Sequence, residues 1–150
     1  MKVYIAPYPF GEFDETLLYD LTKEGFDIRL NSYIRKATGD EILKDIPEDT
    51  EVYIAGTEKI SSSLYEKCCR LKAIIRLGVG LDNIDFGLTK DKNVLVTYTP
   101  NSPALSVAEH AVSLMSAAIK KIPYLHSQTV QGVWKKEFTR LIYRSKIGIV

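Results

Sequence analysis

Five short runs of β-branched and aromatic residues, separated by stretches with helical spacing, leave this chain few ways to fold. The runs are Val3-Tyr4-Ile5-Ala6, Phe26-Asp27-Ile28-Arg29-Leu30, Val52-Tyr53-Ile54-Ala55, Ala73 to Leu77, and Val94-Leu95-Val96-Thr97. Between the first two, residues 14–24 carry Leu17, Leu18 and Leu21 at helical spacing, with Gly25 where a helix stop is expected. Thr38 or Asp40 caps a short helix through Ile46, with Pro47 beyond it. Ser61 or Ser62 caps a helix through Arg70 with Leu64 and Tyr65 on one face, and Phe86 to Lys92 forms another. Strands alternating with helices predict an α/β fold: a flavodoxin-like doubly wound parallel sheet of about five strands. Ligands of such sheets bind at the carboxyl ends of the strands.

One of those ends is unusual. The apolar run Ala73-Ile74-Ile75 leads into Arg76-Leu77-Gly78-Val79-Gly80-Leu81-Asp82-Asn83-Ile84-Asp85. Glycine lets a ligand approach the main chain closely, so the Val79 and Gly80 amides can be offered to an anion. Asp82 and Asn83 can bond nearby backbone and fix the turn. A plain strand-to-helix turn with no ligand fits the same residues, because a lone Gly-x-Gly is common. Gly56-Thr57-Glu58 and Tyr98-Thr99-Pro100 stand at two further strand ends.

The next section has a different character. Ser102 can cap and Pro103 suits the first helical position of a helix from Ala104 to Ile119. Its charge is confined to Glu109 and His110, so it is expected to be buried on most sides, against a partner chain or a further domain. Lys121-Ile122-Pro123 breaks or kinks it, residues 124–131 resume a helix, and Gly132-Val133-Trp134 ends that one. Ile147-Gly148-Ile149-Val150 reads as a strand just begun.

The totals narrow the function classes. The 150 residues allow one domain with a substantial core. A net charge of +1 gives no electrostatic footprint for nucleic acid, and no apolar run is long enough to span a membrane. Cys68 and Cys69 are adjacent, which disfavours a disulfide between them and fits a reduced, cytoplasmic setting. The expected arrangement is one apolar and one exposed thiol on a helix. No ligand set for a metal accompanies them.

Residues 71–85, from Leu71 to Asp85, resemble the substrate-loop signature of the D-isomer-specific 2-hydroxyacid dehydrogenases, the group that includes D-3-phosphoglycerate dehydrogenase. Pro100-Asn101-Ser102-Pro103-Ala104-Leu105-Ser106-Val107-Ala108-Glu109-His110 resembles the same family's interdomain helix, and Tyr143 to Val150 resembles the first strand of its nucleotide-binding domain. The resemblance implies a substrate domain over residues 1–100, followed over 101–150 by an interdomain helix, a dimerisation arm and the start of a nucleotide domain. It implies hydride transfer between NAD or NADP and the CH–OH of a D-2-hydroxy acid, or the reverse reduction of a 2-oxo acid. Val79 and Gly80 match positions whose amides bind the substrate carboxylate, and Val107 matches one touching the nicotinamide end of the cofactor. Glu109 matches a structural carboxylate bonded to neighbouring backbone. The catalytic arginine, glutamate and histidine are expected beyond residue 150, so His110 is assigned no catalytic role and His126 is expected at the surface or an interface. A homodimer through residues 104–142 is implied, and this polypeptide alone is expected to be inactive.

The chain also departs from the pattern. Phosphoglycerate dehydrogenases show an Arg-Ser-like pair after the third strand, where Ala55 and Gly56 stand here, with Lys59 nearby. That makes a phosphorylated substrate a poorer fit. Pro103 stands where the family often has a polar residue. A non-enzymatic flavodoxin-like dimer used for binding or regulation is the alternative that the apolar helix suggests. A phosphoacceptor receiver domain is excluded, because Pro7-Tyr8-Pro9, Gly56 and Tyr98 stand where its acidic residues, aspartate and lysine would be.

Overall fold

Strand residues alternate between the two faces of a sheet, and that alternation sorts the core of this protein into two layers. The computed structural model describes residues Met1–Gly148. The strands are β1 (Lys2–Ile5), β2 (Asp27–Leu30), β3 (Val52–Ala55), β4 (Ala73–Arg76) and β5 (Leu95–Tyr98). The helices are α1 (Thr16–Lys23), α2 (Gly39–Asp45), α3 (Ser62–Lys67), α4 (Phe86–Asp91), α5 (Ala104–Ile119) and α6 (Ile122–Val130). The strands form one parallel sheet in the order β2-β1-β3-β4-β5, the flavodoxin-like order in which the chain reverses direction of winding between β1 and β3. Strand ends shift by a residue from the expected runs: Ala6, Phe26, Leu77 and Val94 fall outside them.

On one face Tyr4, Tyr53 and Ile74 pack with Ile42 of α2 and with Leu64 and Tyr65 of α3. On the other, Val3, Ile5, Val52 and Ile54 pack with Leu18 of α1 and with Phe10 and Phe26. The central strands β1 and β3 are thereby covered on both faces, as a parallel sheet requires, while Leu95 of the edge strand β5 is 64% exposed. The Tyr4 hydroxyl donates to Asp45 at the end of α2 at 2.6 Å, and Asp45 also accepts from Ser32 N–H at 3.1 Å and Ser32 Oγ at 2.7 Å.

Local signals account for most helix ends. Thr38 caps α2 through a reciprocal pair: Thr38 Oγ1 accepts from Glu41 N–H at 3.3 Å, and Glu41 Oε2 accepts from Thr38 N–H at 2.9 Å. Gly25, at φ +85°, follows the end of α1, a left-handed conformation that glycine adopts freely. α3 stops at Lys67 rather than at Arg70, because Cys68 leaves the helical region (φ −96°, ψ 66°). Ser61 precedes α3 without a side-chain capping bond. Cys68 is buried and Cys69 exposed, as expected of the pair.

The chain divides into two compact units, Met1–Ser102 and Pro103–Val150. In the second, three expectations are corrected. Ser102 does not cap α5; Pro103 occupies the capping position with no side-chain bond. α6 begins at Ile122 rather than at 124, since Lys121 makes the break by itself at φ 52° and Pro123 falls in the first turn, where its missing N–H costs nothing. The apolar positions of α5 are uncovered within this chain, which leaves their expected cover to a partner chain or a further domain: Leu105 is 74% and Val107 61% exposed. Ile147 and Gly148 are irregular and exposed rather than a strand, and Ile149 and Val150 lie outside the described residues.

Candidate functional site at the carboxyl end of β4

β3 and β4 run side by side with Ala55 opposite Arg76, so the loops that follow them leave the sheet together. Leu77 N–H still donates to Ala55 O at 2.9 Å, and then the chain turns outward at Gly78. Gly78 has φ +140°, and a Cβ there would lie 2.9 Å from Cζ of Arg76. A side chain at this position would collide with the guanidinium, which explains the first glycine of the pair. Thr99, just past β5, holds Gly78 from the other side: Gly78 N–H donates to Thr99 Oγ1 at 2.8 Å, and Thr99 N–H donates to Gly78 O at 3.2 Å.

Val79 and Gly80 follow on the exposed crest of the loop, with Val79 48% exposed. Among the described residues neither amide N–H has a hydrogen-bond partner. Beneath the loop, Arg76 is 7% exposed. Its Nη1 donates to Leu77 O, its Nε is buried without a partner, and it joins no ion pair among the described residues. A buried guanidinium with no carboxylate favours an anion nearby. Asp82 acts in the opposite sense, since its Oδ2 lies 3.3 Å from where a Gly80 Cβ would be.

The neighbouring loop is built around a carboxylate. Glu58 is buried at 7% exposure, and its Oε1 accepts from the Tyr53 hydroxyl and from Gly56 N–H, the latter at 2.9 Å. Burial first, and then the adjacent Glu58 charge, push the Tyr53 phenol well above its usual range. Asn83 joins the two loops. Its Nδ2 donates to Gly56 O at 3.1 Å and to Glu58 O at 2.8 Å, while Ile60 N–H donates to Asn83 O at 3.3 Å. Asn83 therefore bonds across to the β3 loop rather than within its own turn, and Asp82 has no hydrogen bond among the described residues. Asp85 caps α4, accepting from Gly87 N–H at 2.8 Å and Leu88 N–H at 3.1 Å.

In the second unit, Val107 lies in the first turn of α5 with its N–H donating to Pro103 O at 2.9 Å. Glu109 is exposed, and its carboxylate bonds no backbone group among the described residues, because a mid-helix position leaves no free N–H within its reach. His110 and His126 are exposed. No group of three or more metal-ligating side chains occurs among the described residues, and no helix there is long and apolar enough to cross a membrane. Thr99, Glu58 and the bridging role of Asn83 were not assigned from sequence. Their one signal there is position, since each follows the carboxyl end of a strand.

Known proteins resemble this chain in sequence and in fold. The family described as D-isomer specific 2-hydroxyacid dehydrogenase, catalytic domain, matches residues 10–142. D-3-phosphoglycerate dehydrogenase of Archaeoglobus fulgidus is 30% identical over 147 residues, covering 97% of this chain and 27% of its own length. Hydroxypyruvate reductase of Thermotoga maritima is 34% identical over 122 residues, 78% of this chain and 40% of its own. This chain thus spans well under half the length of these relatives. Among solved structures, the TT0316 protein of Thermus thermophilus superposes with TM-score 0.77 at 20% identity, over 92% of this chain and 43% of that one. NAD-dependent formate dehydrogenase of Staphylococcus aureus, solved with NAD, gives TM-score 0.68 at 26% identity, over 90% and 43%. The family model covers most of the sequence and the fold likeness agrees with it, so the chain belongs to the D-isomer-specific 2-hydroxyacid dehydrogenase family.

Proposed function

We propose that this chain supplies the substrate-binding part of an NAD- or NADP-dependent D-2-hydroxyacid dehydrogenase. The observation that supports this is the loop at Gly78–Gly80: the exposed Val79 and Gly80 amides have no hydrogen-bond partner among the described residues and stand above the buried guanidinium of Arg76. The substrate carboxylate accepts from Val79 and Gly80 N–H, and Arg76 lends positive charge from below. Held this way, the carbon bearing the hydroxyl is oriented for loss or gain of hydride. The nicotinamide cofactor, when bound, supplies the hydride chemistry. Residues 1–100 form the substrate domain, and residues 101–150 form the interdomain helix, the dimerisation arm and the start of a nucleotide domain. Val107, 61% exposed, meets the nicotinamide end of the cofactor. The arginine, glutamate and histidine that move the proton and complete the site belong to polypeptide beyond residue 150.

Two further features fit this assignment. The exposed apolar positions of α5 and the exposed Trp134 and Phe138 support a homodimer formed through residues 104–142. Two free, adjacent cysteines fit a cytoplasmic enzyme.

Amide-resolved NMR titration with D-lactate tests the assignment. Val79 and Gly80 resonances are expected to move with a single saturable curve. A titration that leaves both unmoved overturns it. Turnover by this polypeptide alone with NAD would overturn the assignment of the proton-transfer groups to later residues.

A further inference from the structure

We infer that this site selects hydroxy acids bearing a single negative charge, and that Glu58 is the residue that turns away a second anion such as phosphate. The inference rests on the reading of the Gly78–Gly80 loop as the carboxylate site.

The charges around the paired loops carry it. The carboxylate of a 2-hydroxy acid is matched by Arg76, the one buried cation among the described residues. A phosphorylated acid brings a further charge of about −1.5 to −2 near neutral pH and needs donors or cations of its own. The adjacent loop offers no buried cation among the described residues, and its exposed Thr57 and Lys59 are what it could present. Gly56 N–H, the first donor past β3, is already taken by Glu58, and the Asn83 amide is spent on Gly56 O and Glu58 O. In place of a cation the loop buries a carboxylate that joins no ion pair among the described residues. Lys59 is exposed, and the groove it lines also contains Asp82 and Asp85, so its charge is outnumbered.

The ends of β1 and β2 point the same way. Past β1 and β2, a cavity of about 250 Å³ is lined by Pro7, Phe10, Leu30 and Ile34, with Tyr8, Asn31 and Glu12 as its polar members and Glu12 as its carboxylate. Arg35, near that end, is engaged by both oxygens of Glu41, at 3.0 and 2.6 Å. An uncharged tail meets apolar walls here, and a phosphate meets another carboxylate.

The test compares two ligands that share a carboxylate and a 2-hydroxyl and differ in the phosphate: D-glycerate and 3-phospho-D-glycerate. Each is titrated at fixed ionic strength while the Val79 and Gly80 amides are followed by NMR, in the unaltered chain and in Glu58→Gln. Glutamine removes the charge and can still accept from Tyr53 or Gly56. D-Glycerate is expected to bind at least about tenfold more tightly than its phosphorylated counterpart, equivalent to about 1.4 kcal/mol. Glu58→Gln is expected to narrow that ratio mainly by strengthening the phosphorylated ligand, an effect that a purely structural role would not produce. Equal or tighter binding of 3-phospho-D-glycerate to the unaltered chain overturns the selectivity and leaves the carboxylate site standing. A ratio unchanged in folded Glu58→Gln overturns the assignment to Glu58. If neither acid moves those amides, the carboxylate reading falls, and this inference with it.

Discussion

The side-chain amide of Asn83 donates to the main-chain carbonyl of Glu58 at 2.8 Å, joining loops that leave two adjacent strands. The same nitrogen reaches Gly56 O at 3.1 Å. One side chain therefore sets the distance between the glycine loop and the buried carboxylate beside it.

Replacing Asn83 by alanine removes both donors and strips two partly buried carbonyls of their partner. The expected loss is about 1–3 kcal/mol of stability, read by urea denaturation. Carboxylate binding at Val79 and Gly80 should weaken with it, because the loop is no longer held. Aspartate at this position cannot donate and should fare no better.

Gly78→Ala places a methyl group against Arg76 at a φ of +140°. We expect about 1–3 kcal/mol of destabilisation. The double variant Gly78→Ala/Arg76→Ala should recover the part due to collision and retain the part due to backbone strain, so a double-mutant cycle separates the two.

The Tyr4–Asp45 bond anchors α2 to the sheet. Tyr4→Phe should cost about 1 kcal/mol, since Asp45 keeps its two bonds from Ser32 and its contact with Arg29. Asp45→Ala should cost more, about 2–3 kcal/mol, because the fully buried Tyr4 hydroxyl then has no acceptor. Thermal denaturation distinguishes these outcomes.

Hydrogen bonds from Arg35, and then from the Thr38 backbone, hold the Glu41 carboxyl down to about 2, against an ordinary value of 4.5. A depressed carboxyl binds fewer protons folded than unfolded, so stability rises with pH across this window. The contribution is complete above about pH 4.5 and is lost as pH falls towards 2. Glu41→Gln should flatten acid denaturation between those values, as followed by circular dichroism.

Several of these groups were visible in the sequence as local signals. Thr38 was one of two cap candidates for α2, and Gly25 marks a helix stop just past Lys23, where α1 ends. The glycine pair after β4 also announced itself by spacing. Nothing local announced that Glu58 would be buried, that Thr99 would hold Gly78, or that Asn83 would reach across to Glu58, 25 residues earlier in the chain. The cover that the apolar composition of α5 asks for is likewise not decided within this chain, where Leu105 and Val107 stay exposed.

By itself the sequence determined the alternation of strands and helices, most of their ends, and the family to which the chain belongs. The first two depend on side-chain periodicity and backbone preference within a few residues, and the family on the resemblance carried by residues 71–85 and 100–110. Tertiary structure alone decided that β3 and β4 would lie together, that a cation would be buried under one loop, and that an anion would be buried under the next. Such contacts follow from strand order, which is set by packing of the whole sheet and not by any stretch of chain read alone.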